Sequence, residues 1–201
     1  MPAIRGPKHK LSRRAGVDLF GNGGASLQRR LDKKPGMHSS QRQPRQESEY
    51  ARQLREKQKV KQMYGMREKQ FRKFYIQASK SKGVSGVELL KLLERRLDNV
   101  IYRMGWTRTR LQSRQIIVHG QVEVDGQKVD RPSFLVKPGM TVSLKPKARK
   151  IPSVQELLET NVPTPGWLER GDGTGRILRD PDRSEIDAHI NETAIVEFYS
   201  R

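Results

Sequence analysis

The residues best suited to chemistry lie between positions 107 and 120, where Thr107-Arg108-Thr109-Arg110-Leu111-Gln112-Ser113-Arg114-Gln115-Ile116-Ile117-Val118-His119-Gly120 sets three arginines on one short element. Thr107 or Thr109 can cap a helix there, and Gly120 can close it. Arg110 and Arg114 are four apart, so a helix projects them side by side on one flank. Arg108 falls at the helix start, where exposed N–H groups and the positive dipole end also favour phosphate. Leu111 and Val118, seven apart, are predicted to face the preceding helix. The chemistry implied is anion binding: a wedge of guanidinium groups suited to phosphate. Replacing Arg110 and Arg114 together by Glu is then expected to weaken binding of a phosphate polyanion strongly and to leave thermal unfolding nearly unchanged. His119 suits an RNA contact and a hydrogen bond within the helix cap equally well.

Further cations extend the pattern. Arg52, Arg55, Lys57, Lys59 and Lys61 crowd one helical segment, Arg67 follows it, and Lys128, Arg131 and Lys137 lie near the edge of a strand segment. Arg5, Lys8, Lys10, Arg13 and Arg14 fill the N-terminus. Over 201 residues, 41 Lys and Arg oppose 22 Asp and Glu, for a net charge of +19. Such an excess repels itself unless a polyanion neutralises it. The charge is uneven: residues 1–45 carry +9, 46–82 carry +7, 83–150 carry +8, and 151–201 carry −5. The acidic end can pair with the chain's own basic parts or with a basic neighbour. No run of about 18 apolar residues suits a bilayer, and the N-terminus has the composition of no signal peptide. With no cysteine, disulfides, thiolate metal sites and Cys nucleophiles are excluded.

The elements that must position these groups can be read from the pattern. Residues 1–46, with Gly21-Asn22-Gly23-Gly24 and Pro35-Gly36, read as an extended basic arm that orders against RNA. A helical region follows over 47–92. Ser48 can cap its first helix, and Phe71, Phe74, Tyr75 and Ala78 give a second helix one apolar face, better suited to a core than to base stacking. Leu90, Leu93, Leu97, Val100, Ile101 and Met104 predict one continuous helix over about 86–104, ended by Gly105. Val122 and Val124 with Asp125-Gly126 predict a hairpin, and Met140, Val142 and Leu144 a further strand after Pro138-Gly139. Gly171-Asp172-Gly173-Thr174-Gly175 reads as a turn between short strands, and Asn191 can cap a final short helix.

At this point the sequence resembles a known family. Leu93-Glu94-Arg95-Arg96-Leu97-Asp98-Asn99-Val100-Ile101-Tyr102-Arg103-Met104-Gly105 is similar to the opening of the small RNA-binding module named after ribosomal protein S-four. Val118-His119-Gly120, Val124-Asp125-Gly126 and Leu135-Val136-Lys137-Pro138-Gly139 continue it in register. Gly6-Pro7-Lys8, Lys10-Leu11-Ser12-Arg13-Arg14, Pro35-Gly36-Met37-His38, Leu54-Arg55-Glu56-Lys57-Gln58-Lys59-Val60 and Glu197-Phe198-Tyr199-Ser200-Arg201 resemble the whole bacterial-type small-subunit protein.

The resemblance implies an α+β protein: a basic arm at 1–46, a helical domain at 47–92 rejoined by 184–201, the module at 93–155 within an α/β domain with an antiparallel sheet, and the rest of that domain at 156–183. It implies a cytoplasmic constituent of the ribosome that binds the five-prime domain of small-subunit ribosomal RNA at a multi-helix junction early in assembly. Implied partners are the fifth small-subunit protein, through which decoding accuracy is influenced, and messenger RNA near its entry channel. Some relatives also repress their own synthesis. Some hold the arm with four zinc-binding cysteines. Here His9 and His38 cannot form such a site alone, so the arm is expected to be zinc-free and held by RNA contacts and packing. No cofactor is implied. Ala15 replaces an acidic residue common in the family, with little expected effect.

Two other classes compete. The same module occurs fused to pseudouridine synthases and tyrosyl-transfer-RNA synthetases, and Arg96-Leu97-Asp98 is similar to the motif around a pseudouridine synthase's catalytic aspartate. Asp98 sits inside the module, however, where it is expected to pair with Arg95, Arg103 or Arg108. The remaining chain, about 45 residues of net-acidic tail, cannot supply a catalytic domain. Neither a Walker-type phosphate loop nor a supported Ser-His-Asp arrangement occurs. A DNA-binding helix–turn–helix would suit the 93–119 pair, but the charge spreads over 150 residues instead of concentrating on one recognition helix. That spread favours a shaped ribonucleoprotein surface.

Overall fold

In the computed structural model, which describes residues 6–21, 23–36, 47–160 and 162–200, the chain is α+β. Its helices are α1 (Lys8–Ala15), α2 (Ala25–Gln28), α3 (Glu49–Met63), α4 (Glu68–Ser79), α5 (Ser85–Glu94), α6 (Leu97–Arg103), α7 (Arg110–Val118), α8 (Pro146–Arg149), α9 (Pro152–Glu159) and α10 (Glu192–Ser200). The strands are β1 (Val122–Val124), β2 (Gln127–Lys128), β3 (Thr141–Leu144), β4 (Leu168–Arg170) and β5 (Thr174–Ile177). The chain divides into two compact units, Met1–Ile76 with His189–Arg201, and Gln77–Ala188.

The first unit is helical. Ser48 caps α3 by accepting from the Ala51 N–H, and Asn191 Oδ1 accepts from the Ala194 N–H at the start of α10. Both caps satisfy donors that a helix start leaves orphaned. Val60, Met63, Phe71, Phe74, Ala194 and Ile195 are buried, so the regular aromatic spacing of α4 serves the core. Tyr199 on α10 stacks on Phe71 and on Tyr75, with ring centroids 6.2 and 4.6 Å away.

The N-terminal residues are more ordered than an extended arm. Leu19, Phe20, Leu27 and Ser12 are buried, and the segment contains helices α1 and α2. Their irregular spacing hid this, because turns and not a periodic face bring these residues together. Asp18 Oδ1 accepts from the N–H groups of Phe20 and Gly21, and Oδ2 from that of Gly23. Arg13 donates to the carbonyls of Arg30, Lys33 and Lys34 at 2.8–3.2 Å.

The second unit carries a five-stranded antiparallel sheet in the order β2-β1-β3-β5-β4. Buried and open positions alternate along β1, β3 and β5, the signature of a sheet with one covered face. Val122, Val124, Val142, Leu144 and Ile177 join Leu97, Ile101, Met104, Ile116, Ile117, Trp106 and Trp167 in one core. Asp125 (φ 49°) and Gly126 (φ 76°) make the two-residue turn between β1 and β2, which needs positive φ at both positions.

The predicted continuous helix over 86–104 is two helices, α5 and α6. Arg96 has extended backbone, with ψ 136°, and bridges Leu135 like a strand residue. The Leu97 and Asp98 N–H groups bond the carbonyls of Phe134 and Pro132 instead of the preceding turn. The apolar spacing runs straight through the break, so periodicity concealed it. What forces the break is the long-range bridge together with Arg96, fully buried.

Candidate nucleic-acid interface

Thr109 caps α7 by accepting from the Gln112 N–H, while Thr107 is buried against Ser113, their hydroxyls 2.6 Å apart. Gly120 (φ +65°) closes the helix. The buried face of α7 is Ser113, Ile116 and Ile117; Leu111 is half-buried and Val118 is 57% exposed. The expected Leu111–Val118 face is therefore corrected. The seven-residue spacing was real, but the adjacent isoleucines bury more apolar area per residue and set the rotation of the helix.

The three arginines of the expected wedge have different surroundings. Arg108 is exposed and pairs with the equally exposed Glu156 on α9. Arg110 is largely buried: its Nε donates to Asn99 Oδ1 at 2.7 Å, its guanidinium lies 4.4 Å from the Tyr102 ring centroid, and Nη2 is 3.7 Å from Asp187. Arg114 Nη1 is 3.8 Å from Asp98. Asp98 itself pairs bidentately with Arg96, at 3.1 and 2.7 Å, and not with the Arg95, Arg103 or Arg108 expected from sequence. Helical position alone made Arg110 and Arg114 equivalent, and carboxylates from distant segments separate them. Charge reversal at both positions would set new carboxylates beside Asp187 and Asp98, so a loss of thermal stability is expected in place of unchanged unfolding.

His119 and Lys128 are both exposed. Arg131, Lys137, Lys147 and Lys150 are exposed in the same unit. Lys147 and Lys150 escaped the sequence reading, although Lys145-Pro146-Lys147-Ala148-Arg149-Lys150 was a visible cluster of charge. Arg149 turns inward, donating to the Leu144 and Gly173 carbonyls.

In the first unit, Lys8, Lys10, Arg14 and Arg67 are exposed, whereas Arg13 is bound to the carbonyls described above. Arg5 lies outside the described residues. Arg52 and Arg55 are exposed and pair with Glu49 and Glu47. Lys57 and Lys59 are buried. Lys57 Nζ donates to Glu68 at 2.9 Å and sits 4.3 Å from the Phe198 ring centroid. Lys59 Nζ donates to Glu56 and to the His189 carbonyl, at 2.8 and 2.7 Å. Lys61 also meets Glu68, at 2.9 Å. Burial opposes charge on Glu68, but hydrogen bonds from Lys57, Lys61 and the Tyr199 hydroxyl outweigh it and hold the carboxyl at about 2. Burial, then the hydrogen bond to that anion, pushes the Tyr199 phenol upward. Of the five cations of α3, the outer two face solvent and the inner three organise the helical core.

The acidic end pairs within the chain. Asp180 reaches Arg95 at 3.3 Å, Asp187 reaches Arg103 at 3.1 Å, and Glu185 reaches Arg179 at 2.8 Å. In the first unit Glu197 accepts from Gln53 at 2.9 Å. Its negative charge thus neutralises the half-buried Arg95 and Arg103 and also meets the exposed Arg108 and Arg179.

Both units carry exposed guanidinium and ammonium groups over apolar residues, an arrangement that suits a polyanionic partner and offers no catalytic constellation among the described residues. Two family profiles match the chain in series: the Ribosomal protein S4/S9 N-terminal domain over residues 3–94 and the S4 domain over residues 95–142. Their junction falls at the break between α5 and α6. Small ribosomal subunit protein uS4 of Geobacillus sp. (strain WCH70) is 47% identical over 205 residues, covering all of both chains. That of Lysinibacillus sphaericus (strain C3-41) is 46% identical over 206 residues, with the same coverage. That of Staphylococcus carnosus (strain TM300) is 44% identical over 205 residues, covering all of this chain and 99% of the relative. The chain belongs to the uS4 family of small ribosomal subunit proteins, whose role is structural and not enzymatic.

Proposed function

We propose that this protein is a primary binder of small-subunit ribosomal RNA. In this reading it works in the cytoplasmic ribosome, engages a multi-helix junction of the five-prime domain and nucleates assembly of the subunit there. The observation that carries the reading is the sorting of charge: inward cations meet carboxylates or carbonyls, while a second set stands exposed on both units. An exposed set so distributed suits a folded RNA, which is recognised through phosphates and 2′-hydroxyls across a broad surface. Within the exposed set, the contacts are assigned to Lys8, Lys10, Arg14, Arg52, Arg55, Arg67, Arg108, His119 and Lys128, with Arg5 in the arm. Residues 1–46 act as the arm, 47–92 with 184–201 as the helical domain, 93–155 as the RNA-binding module and 156–183 as the rest of the α/β domain. Once in the subunit, the protein meets the fifth small-subunit protein and lies by the messenger entry channel, and through that contact it influences accuracy.

Competition tests the class of partner. Folded junction RNA is expected to displace the protein from duplex DNA, and displacement in the opposite sense would refute the proposal. Affinity should fall with salt by about 0.7–0.9 log units per phosphate contact for each decade of salt concentration.

A further inference from the structure

Five side chains of the second unit close a ring around the start of α7. Glu94 at the end of α5 accepts from Asn99 Nδ2 at 2.8 Å. Asn99 Oδ1 accepts from Arg110 Nε at 2.7 Å. Arg110 Nη2 lies 3.7 Å from Asp187 Oδ2, and Asp187 accepts from Arg103 at 3.1 and 3.4 Å. Arg103 returns to Glu94 through two bonds of 2.9 Å. Two carboxylates and two guanidinium groups leave the ring with no net charge. Glu94 and Asn99 are buried, and Arg103, Arg110 and Asp187 are partly so, so the members are ordered chiefly against each other. The ring joins α5, α6, the first residue of α7 and, through Asp187, a segment 77 residues further along the chain.

Resting on the RNA reading above, we infer that Arg110 and Asp187 are positioning residues for RNA recognition. They fix the direction of α7, and with it Arg108 and His119 at its two ends, and Arg110 itself does not touch phosphate. A fork is required at this position. Arg110 spans Asn99 and Asp187 while lying over the Tyr102 ring, and a lysine ammonium cannot serve all three. A network of this kind couples its members, so their losses should not add.

The test uses the full chain. Because it contains no cysteine, a Gln115→Cys substitution on the exposed side of α7 accepts an iron chelate at that one position, and hydroxyl radicals then cut the bound small-subunit RNA near α7. Arg110→Lys and Asp187→Asn are each expected to lower affinity about tenfold, leave the salt slope unchanged and shift the cleavage pattern. The double variant should lose no more than either single one. A residue serving stability alone would leave the pattern in place, since only folded protein binds. A phosphate contact at Arg110 would let the lysine variant keep its affinity. An unshifted pattern, a lysine variant within twofold of the parent, or additive losses would each overturn the inference. If Asp187→Asn does not fold, Arg110→Lys, which keeps the charge, decides by its affinity and pattern. If the parent protein gives no specific cleavage at all, the RNA reading itself fails, and the inference with it.

Discussion

Helix α1 and the segment formed by α7 with Arg108 beside it both carry several cations and use them differently. On α1, Lys8, Lys10 and Arg14 are exposed and only Arg13 turns inward, where it meets backbone carbonyls. On and beside α7, each arginine faces a carboxylate from elsewhere: Arg108 meets Glu156, Arg110 meets Asp187, and Arg114 approaches Asp98. Neither helix contains an acidic residue of its own. The difference is therefore tertiary. A cation is withdrawn from phosphate where a distant segment both covers it and delivers a carboxylate, as at Arg110, whereas Arg108 keeps its exposure beside an equally open Glu156.

The largest effect expected from breaking this contrast is at Asp98. Asp98→Ala leaves Arg96, which is fully buried, without its anion, and should destabilise the second unit by about 3–5 kcal/mol. Chemical denaturation followed by circular dichroism would show it. Next, Arg110→Glu combined with Arg114→Glu should cost about 2–3 kcal/mol of stability, whereas three glutamines at Lys8, Lys10 and Arg14 should change stability by less than about 0.5 kcal/mol. Equal losses of melting temperature in the two triply and doubly substituted chains would erase the distinction between α1 and α7.

Acid sharpens the picture for the first unit. Glu68 is held at about 2 against an ordinary value of 4.5. Above pH 4.5 it is charged whether the unit is folded or not. Between the two values only the unfolded chain takes up the proton, so stability falls as pH is lowered from 4.5 towards 2, and this contribution is gone below 2. Melting temperature measured across that range should decline less steeply in Glu68→Gln. A parallel decline would show that Lys57, Lys61 and Tyr199 do not hold the carboxylate as charged.

Much of the architecture was legible in the sequence, because it follows from local rules. Asp125-Gly126 demanded a tight turn, Ser48 and Asn191 offered caps, and alternation along Val122-Glu123-Val124 marked a half-covered strand. The helical span through Arg95-Arg96 misled for the opposite reason: its apolar spacing is continuous, and the break is made by Leu135 and by a buried ion pair. The candidate interface was legible as a list of cations but not as a surface. Lys57 and Lys59 look like Arg52 and Arg55 in sequence, and only distant segments, Glu68 and Phe198 at Lys57 and the His189 carbonyl at Lys59, show that they turn inward. The inward role of Arg110 likewise depends on Asp187, far along the chain.

The smallest expected effect on folding, and a direct one on binding, belongs to the exposed set. Replacing Lys8, Lys10 and Arg14 by glutamine should reduce the salt dependence of RNA affinity by about 0.7–0.9 per lost contact, measured by filter binding over a salt series.

Chemical footprinting of small-subunit ribosomal RNA, with and without the protein, tests the central claim most directly. The account predicts protection concentrated at one multi-helix junction of the five-prime domain, weakened by salt and by loss of the exposed cations. Protection scattered evenly over the RNA, or binding to duplex DNA of equal strength, would contradict it.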